Sequence, residues 1–176
     1  MNIFMTDPSP TTSARWLDDK RVNKMAVETT QMISTAVRLL CPELTKDDTI
    51  LYKPAFVMHP CSVFARHSYP NFLWLIEHGI DLCREYTVRF PDKGKQHKCL
   101  DVLFHAYELM RTKPPVLNEG FYDKPFSITF NSSGFNTGNI YDDYKACMNQ
   151  KWLVDKLPPK WSNKTAPSWK CSKQVV

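Results

Sequence analysis

A stretch near the start of the chain carries the side chains best suited to chemistry. Arg21, Lys24, Glu28 and Gln31 recur at three- and four-residue steps, so they share one face of a helix. A carboxylate among cations can hold a phosphate backbone and place one acid–base group beside it. The same pattern is typical of a solvated helix face with a Lys24–Glu28 ion pair, and on pattern alone this second interpretation is favoured.

A second candidate is the segment from His59 to Ser68, in which His59, Arg66 and His67 fall within nine residues. Pro60 and the following polar residues indicate the start of a short helix, and helix N-termini bind anions. These residues are therefore candidate phosphate contacts, although ordinary helix capping is the favoured interpretation.

Two His-x-Cys steps, His59-x-Cys61 and His97-x-Cys99, contain four side chains of the types that make a tetrahedral zinc site. Neither step has the ligand spacing and turn glycines of a zinc knuckle. The six cysteines include no Cys-x-x-Cys pair, so we expect reduced thiols, no metal and no cofactor.

The C-terminal tail, residues 151–176, carries the whole net charge of +5, with six lysines and one aspartate. Trp161, Lys164 and Trp169 combine cations for phosphates with flat rings for bases, which is typical of nucleic-acid binding. A packing tail whose tryptophans cover the core is the alternative. We favour nucleic acid.

The elements that position these residues are helices. Apolar residues recur every three or four positions over 22–40, 73–90, 100–110 and 141–153, and a short helix is expected over 62–67. Ser68 and Pro70 form a helix start, whereas 41–60 and 116–139 have no period. The chain of 176 residues, with only five glycines, is therefore predicted to be one all-α domain, 1–176.

The N-terminal residues predict a short extended segment ended by the prolines at 8 and 10. The chain shows no membrane span and no signal peptide. We expect a cytoplasmic protein with an irregular, tryptophan-rich tail packed on the helical body.

Two blocks of residues resemble a known family. Leu17-Asp18-Asp19-Lys20-Arg21-Val22, with Glu28 nine residues after Asp19, is similar to the start of phage endonuclease V, a pyrimidine dimer DNA glycosylase with AP lyase activity. A second block, His59-Pro60-Cys61-Ser62-Val63-Phe64 and the helix that follows, is also similar to this family. The resemblance extends to about residue 90 and implies a compact all-α fold whose N-terminus lies against the first long helix.

The resemblance also implies a reaction. The family's nucleophile is an N-terminal α-amine, which attacks the sugar C1′ and forms a Schiff base. α-Amines have a pKa of about 7.7–8.0 against about 10.4 for lysine, so more of the amine is unprotonated at neutral pH. Because Asn2 is too large for efficient removal of the initiator methionine, the amine is that of Met1, or of Lys24 if the terminus is blocked. Glu28 matches the glutamate that stabilises the cationic sugar and moves protons.

The implied partner is duplex DNA with a damaged or modified pyrimidine, bound by a monomer in the cytoplasm of an infected bacterium. The family's phosphate-binding arginines are replaced by Val27 and Gln31, and Arg21 falls at the position of a DNA-contacting histidine. The residues predicted to contact DNA are Lys20, Arg21, Gln31, His59, Arg66, His67, Trp161, Lys164 and Trp169.

Two other functions stay open on the sequence. The same pocket can serve a DNA base-modification enzyme that transfers a group onto a pyrimidine, since the N-terminus and two arginines differ from the family pattern. Alternatively, the basic tail indicates a nucleic-acid-binding phage protein without enzymatic activity.

Overall fold

The computed structural model describes residues 1–112 and 137–171. Seven α-helices and no β-strand occur in these two ranges. They are α1 (Pro10–Trp16), α2 (Asp19–Leu40), α3 (Pro42–Thr45), α4 (Pro60–His67), α5 (Tyr69–Arg89), α6 (Cys99–Thr112) and α7 (Ile140–Val154). The all-α prediction is confirmed. Most of the predicted aperiodic segment 116–139 lies outside the described residues.

The two longest helices begin at side-chain caps. The Asp18 carboxylate accepts from the backbone N–H of Arg21 at the start of α2, and Ser68 Oγ accepts from that of Asn71 at the start of α5. Each bond satisfies an N–H group that has no partner inside its helix. Pro70 lies in the first turn of α5, as its position in the sequence predicts.

Two boundaries differ from the predictions. Helix α4 begins at Pro60, two residues early, because the His59 ring accepts from the backbone N–H of Cys61 and acts as the cap. The segment 41–60, predicted to be a loop, contains the short helix α3, which Pro42 starts and whose Thr45 is buried.

Helices α2 and α5 form the centre of the molecule. Helix α1 packs on α5, and α4 and α6 each pack on both central helices. Gly79 of α5 lies tightly against α2 and α6, because an added Cβ would lie 2.8 Å from Thr29 Cγ2 and 3.0 Å from Leu103 Cδ1. Buried apolar residues from Ile3 to Trp152 form one hydrophobic cluster.

Residues 1–9, before α1, form no regular secondary structure, and those from Asn2 to Thr6 are buried. The Asn2 side chain accepts from the backbone N–H groups of Ile3 and Phe4, which turns the chain at its start. Trp74 Nε1 donates to the Pro8 carbonyl at 2.7 Å. The N-terminus is thereby held between α2 and α5.

The irregular tail after α7 packs on the helical body through a cluster of tryptophans. Trp152 of α7 stacks on Trp169 at a ring-centroid distance of 5.3 Å and meets Trp161 edge-on at 5.1 Å. Trp161 Nε1 donates to the Trp16 carbonyl at 3.0 Å. The rings of Trp161 and Trp169 thus pack on the body but stay partly exposed, and stacking of these rings on bases stays a prediction.

Among the described residues, no helix is both long enough and apolar enough to cross a membrane.

Candidate active site

The amine of Met1 and the carboxylate of Glu28 lie next to each other. The amine nitrogen is 3.9 Å from Glu28 Oε2, and the backbone N–H of Asn2 donates to the same oxygen at 3.0 Å. Lys24 Nζ lies 3.3 Å from the other oxygen, Oε1. The Glu28 carboxylate is 18 % exposed on the polar face of α2. It therefore contacts both amines that were predicted as candidate nucleophiles.

The N-terminal residue is anchored by its own side chain. The Met1 side chain is only 5 % exposed, and its sulfur accepts a hydrogen bond from Ser62 Oγ at 3.5 Å. The next turn of backbone includes Phe4 at a φ of 53°, in the left-handed region. Burial at Met1 and the Asn2–Glu28 bond thus fix the direction in which the amine points.

Lys24 has a different environment. The Lys24 side chain is 64 % exposed and reaches Glu28 from solvent, whereas the Met1 side chain is 5 % exposed and holds its amine near Glu28. A long exposed lysine loses side-chain entropy when it is held in one position, so its ion pair adds little stability. The more constrained of the two amines is that of Met1.

His59 is a third group in this site. Burial lowers the pKa of His59 below its ordinary value, the positive Met1 amine lowers it further, and Glu28 acts in the opposite direction. Its Nδ1 accepts from the Cys61 N–H at 3.2 Å, so the neutral ring carries its proton on Nε2. The sequence pointed to His59 as a phosphate contact. Its position near the Met1 amine depends on the tertiary fold, and the spacing of residues in the sequence did not indicate it.

Cys61 is close to the same site but is not a reactive thiol. It is buried, and burial raises its pKa to about 12, with the Met1 amine partly opposing this shift. A thiol is nucleophilic only as thiolate, so Cys61 stays protonated at neutral pH.

Arg21 is not on the polar surface. It is 7 % exposed, and its guanidinium lies 2.7 Å from Asp18 and 2.9 Å from Asp155. Burial raises the pKa of Asp155, but the Arg21 guanidinium and Lys20 together hold that pKa below its usual value. Arg21 ties the start of α2 to the end of α7, and contact between Arg21 and DNA stays a prediction.

Several other predicted DNA contacts are partly engaged within the protein. Lys20 reaches Asp155 at 3.3 Å while staying 69 % exposed, and Lys164 reaches Glu85 at 3.4 Å. Gln31 donates to the Lys53 carbonyl at 2.7 Å. Arg66 and His67 lie in the last turn of α4, not at its N-terminus. DNA contact by these residues stays a prediction.

The four residues of the zinc alternative do not form one cluster in the described part of the chain. No group of three or more His, Cys, Asp or Glu side chains in that part could hold a metal ion. His59 and Cys61 lie at the start of α4. The other two residues have different neighbours: His97 is hydrogen-bonded to Asn23, and Cys99 contacts the Tyr52 hydroxyl. The six cysteines all lie in the described ranges, and no disulfide joins them.

A family model described as pyrimidine dimer DNA glycosylase matches residues 1–98, more than half of the chain. The chain belongs to this family. The matched range contains the groups of the amine–carboxylate site, Met1, Lys24, Glu28 and His59. No curated protein and no solved structure matches the chain.

Membership in the pyrimidine dimer DNA glycosylase family confirms the resemblance drawn from the two sequence blocks. It implies a DNA substrate and a glycosylase-like action on DNA. The tail with its tryptophan cluster lies outside the matched range, since the match ends before α6.

Proposed function

We propose that this protein is a DNA N-glycosylase with AP lyase activity that removes a damaged or modified pyrimidine through a Schiff base on the Met1 amine. The observation that carries this proposal is the 3.9 Å separation between the Met1 amine and Glu28 Oε2. A nucleophile beside a carboxylate is the arrangement that covalent catalysis with proton transfer requires.

In the first step, the neutral amine attacks C1′ of the target nucleotide. An N–C1′ bond forms, and the bond from C1′ to the base breaks, with its electron pair leaving on the base and a proton following. The developing positive charge on the sugar is stabilised by the negative charge of Glu28. Loss of a proton from the amine and opening of the sugar ring then give the iminium.

In the second step, removal of a proton from C2′ breaks the bond between C3′ and its phosphate oxygen and cuts the strand. Water then hydrolyses the iminium and returns the free amine. Glu28 is the group proposed to move these protons, because it is the carboxylate in contact with the amine.

The Met1 amine is a better candidate than Lys24 on two grounds. It is anchored by a buried side chain, so little freedom is lost when it meets the sugar. In addition, α-amines as a class are deprotonated at lower pH than lysines. We assign Lys24 the role of a phosphate contact next to the site.

His59 contributes to this proposal through its charge state. Its lowered pKa favours a neutral ring at neutral pH, so His59 adds no positive charge beside the iminium that forms on Met1. Lys20, Gln31, Arg66, His67 and Lys164 are proposed to contact the phosphate backbone. We also propose that the protein acts on DNA as a monomer in the cytoplasm of an infected bacterium.

Borohydride trapping tests the chemistry. The protein is mixed with abasic and thymine-dimer duplexes and reduced, beside the Glu28→Gln variant. We expect a covalent band with the wild-type protein and loss of turnover in the variant. Digestion of the trapped protein and mass spectrometry of its peptides should place the adduct on Met1. An adduct on Lys24 would reassign the nucleophile. Salt-sensitive DNA binding without any trapped band would contradict the proposal.

A further inference from the structure

The turn that precedes α4 carries two exposed apolar side chains. Phe56 is 69 % exposed and Met58 is 79 % exposed, whereas Cys61 and Phe64, a few residues on, are buried. Phe56 also has a φ of 49°, in the left-handed region that bulky residues rarely adopt. A strained backbone at an exposed aromatic residue is retained only where the surrounding structure holds it.

This turn is anchored from both sides by side chains of α2 and α4. Each anchor bonds a backbone group of the turn: Gln31 to the carbonyl of Lys53, Thr35 to the N–H and carbonyl of Ala55, and Arg66 to the carbonyl of Val57. The His59 N–H closes the turn on the Phe56 carbonyl at 2.9 Å. Phe56 and Met58 therefore project from a rigid support.

The tip is also close to the candidate active site. His59, the last residue of the turn, is near enough to the Met1 amine and to Glu28 for both to shift its pKa. Gln31, which anchors the turn at Lys53, is three residues after Glu28 on α2. The apolar tip and the amine–carboxylate pair thus share one edge of the molecule.

We propose that Phe56 and Met58 are a wedge that enters the base stack of duplex DNA beside the nucleotide attacked by the Met1 amine. This inference rests on the proposed function. The C1′ atom of a stacked nucleotide is poorly accessible, and an enzyme that acts on it must first open the stack. Apolar side chains such as phenylalanine and methionine unstack base steps in this way.

The surroundings of the tip fit DNA better than a second protein copy. Lys53 within the turn and Lys24 on α2 are exposed cations on the same edge, suited to the phosphates on either side of an opened step. A single turn is far smaller than the roughly 800 Å² per partner that a stable protein interface covers.

Fluorescence of 2-aminopurine tests the wedge without any chemistry. The probe is placed next to a tetrahydrofuran abasic analogue, which cannot form a Schiff base, in a duplex. Binding of the wild-type protein should raise the fluorescence several-fold, since unstacking relieves quenching. The Phe56→Ala/Met58→Ala variant should bind without this rise. Phe104→Ala, which removes an exposed phenylalanine from α6, is the matched control and should keep it. A full rise in the double variant would overturn the wedge.

A second readout separates this inference from the proposed function. Borohydride trapping is compared on duplex and single-stranded abasic DNA, because a single strand has no stack to open. The double variant should trap the duplex about tenfold or more slowly and the single strand at the wild-type rate. Equal loss on both substrates would overturn the wedge, as would a wild-type dimer that the double variant dissociates. Absence of wild-type trapping on either substrate would overturn the proposed chemistry, and the fluorescence result would then decide the wedge alone.

Discussion

The backbone N–H of Asn2 donates to Glu28 Oε2 at 3.0 Å, and this bond holds the N-terminus against α2. It gives Glu28 a structural role besides any chemical one, because the same oxygen faces the Met1 amine. A substitution of Glu28 therefore has two effects to distinguish: loss of the bond that holds the N-terminus and loss of the negative charge.

Glu28→Gln and Glu28→Ala should both lower the activity, and the two variants should differ in stability. Glutamine keeps an oxygen that can accept from Asn2, whereas alanine leaves that N–H without this partner, at a cost of about 1–3 kcal/mol. Both remove the negative charge and should lower turnover by at least about 100-fold. Urea denaturation and single-turnover cleavage of a thymine-dimer duplex measure the two effects. A glutamine variant with full turnover would exclude Glu28 from the chemistry.

Replacement of Lys24 by methionine should leave the trapped yield on abasic DNA within about threefold of wild type at low salt. The side chain is exposed, and its ion pair with Glu28 contributes little. The salt dependence of DNA binding should become shallower by about one unit if Lys24 contacts a phosphate. Filter binding at several salt concentrations checks this, with Lys46→Met on the exposed end of α3 as a control.

His78 should make the fold sensitive to mild acid. The ring is fully buried, stacks on Trp74, and has Nδ1 3.1 Å from the Pro10 carbonyl. Burial lowers its pKa to about 4, although the Pro10 carbonyl and Asp81 oppose the shift. Because the pKa in the unfolded chain is about 6.5, the unfolded state binds more protons between pH 6.5 and 4, and stability falls as pH falls through that range.

The expected loss from His78 alone is about 2–3 kcal/mol between pH 7 and pH 4.5. Urea denaturation at both pH values measures it. The His78→Gln variant, which keeps a donor for the Pro10 carbonyl but does not titrate, should lose correspondingly less over the same range. Parallel pH profiles of the two proteins would show that His78 is not responsible.

Gly79→Ala should destabilise the protein in spite of the higher helix propensity of alanine. The gain in propensity is about 1 kcal/mol, whereas the new methyl group would lie 2.8 Å from Thr29 Cγ2, and overpacking of a core costs about 1–3 kcal/mol. Thr29 and Leu103 are both fully buried and have little room to move. Thermal denaturation should show a lower Tm, and adding Thr29→Ser, which removes Cγ2, should restore part of it.

Trp161→Ala tests the assignment of the tail rings to packing. Loss of the contacts with Trp152 and Trp16 should cost about 1–3 kcal/mol, and DNA affinity below the melting transition should not change. Lys160→Ala is the matched control, because its side chain is exposed, and it should leave the stability unchanged. A stable Trp161→Ala variant with weakened DNA binding would instead indicate that the Trp161 ring stacks on bases.

Much of the fold was predictable because it depends on local chemistry. The three- and four-residue period of α2, and the Ser68 cap with Pro70 behind it at the start of α5, are properties of neighbouring residues. The same holds for Glu28 on the polar face of a helix. The start of α4 was predicted two residues late, since a histidine is an uncommon cap and His59 carried no usual signal.

The sequence by itself therefore determined an all-α chain, the position of Glu28 on a long helix, and the family to which residues 1–98 belong. Only the tertiary structure decided which groups meet. The Met1 amine reaches Glu28 across 27 positions, and Arg21, on the same helix face, turns inward to Asp155. Such contacts depend on how the helices pack and where the termini lie. Two residues that are far apart in the sequence and meet in the fold produce no periodic pattern in the residues around them.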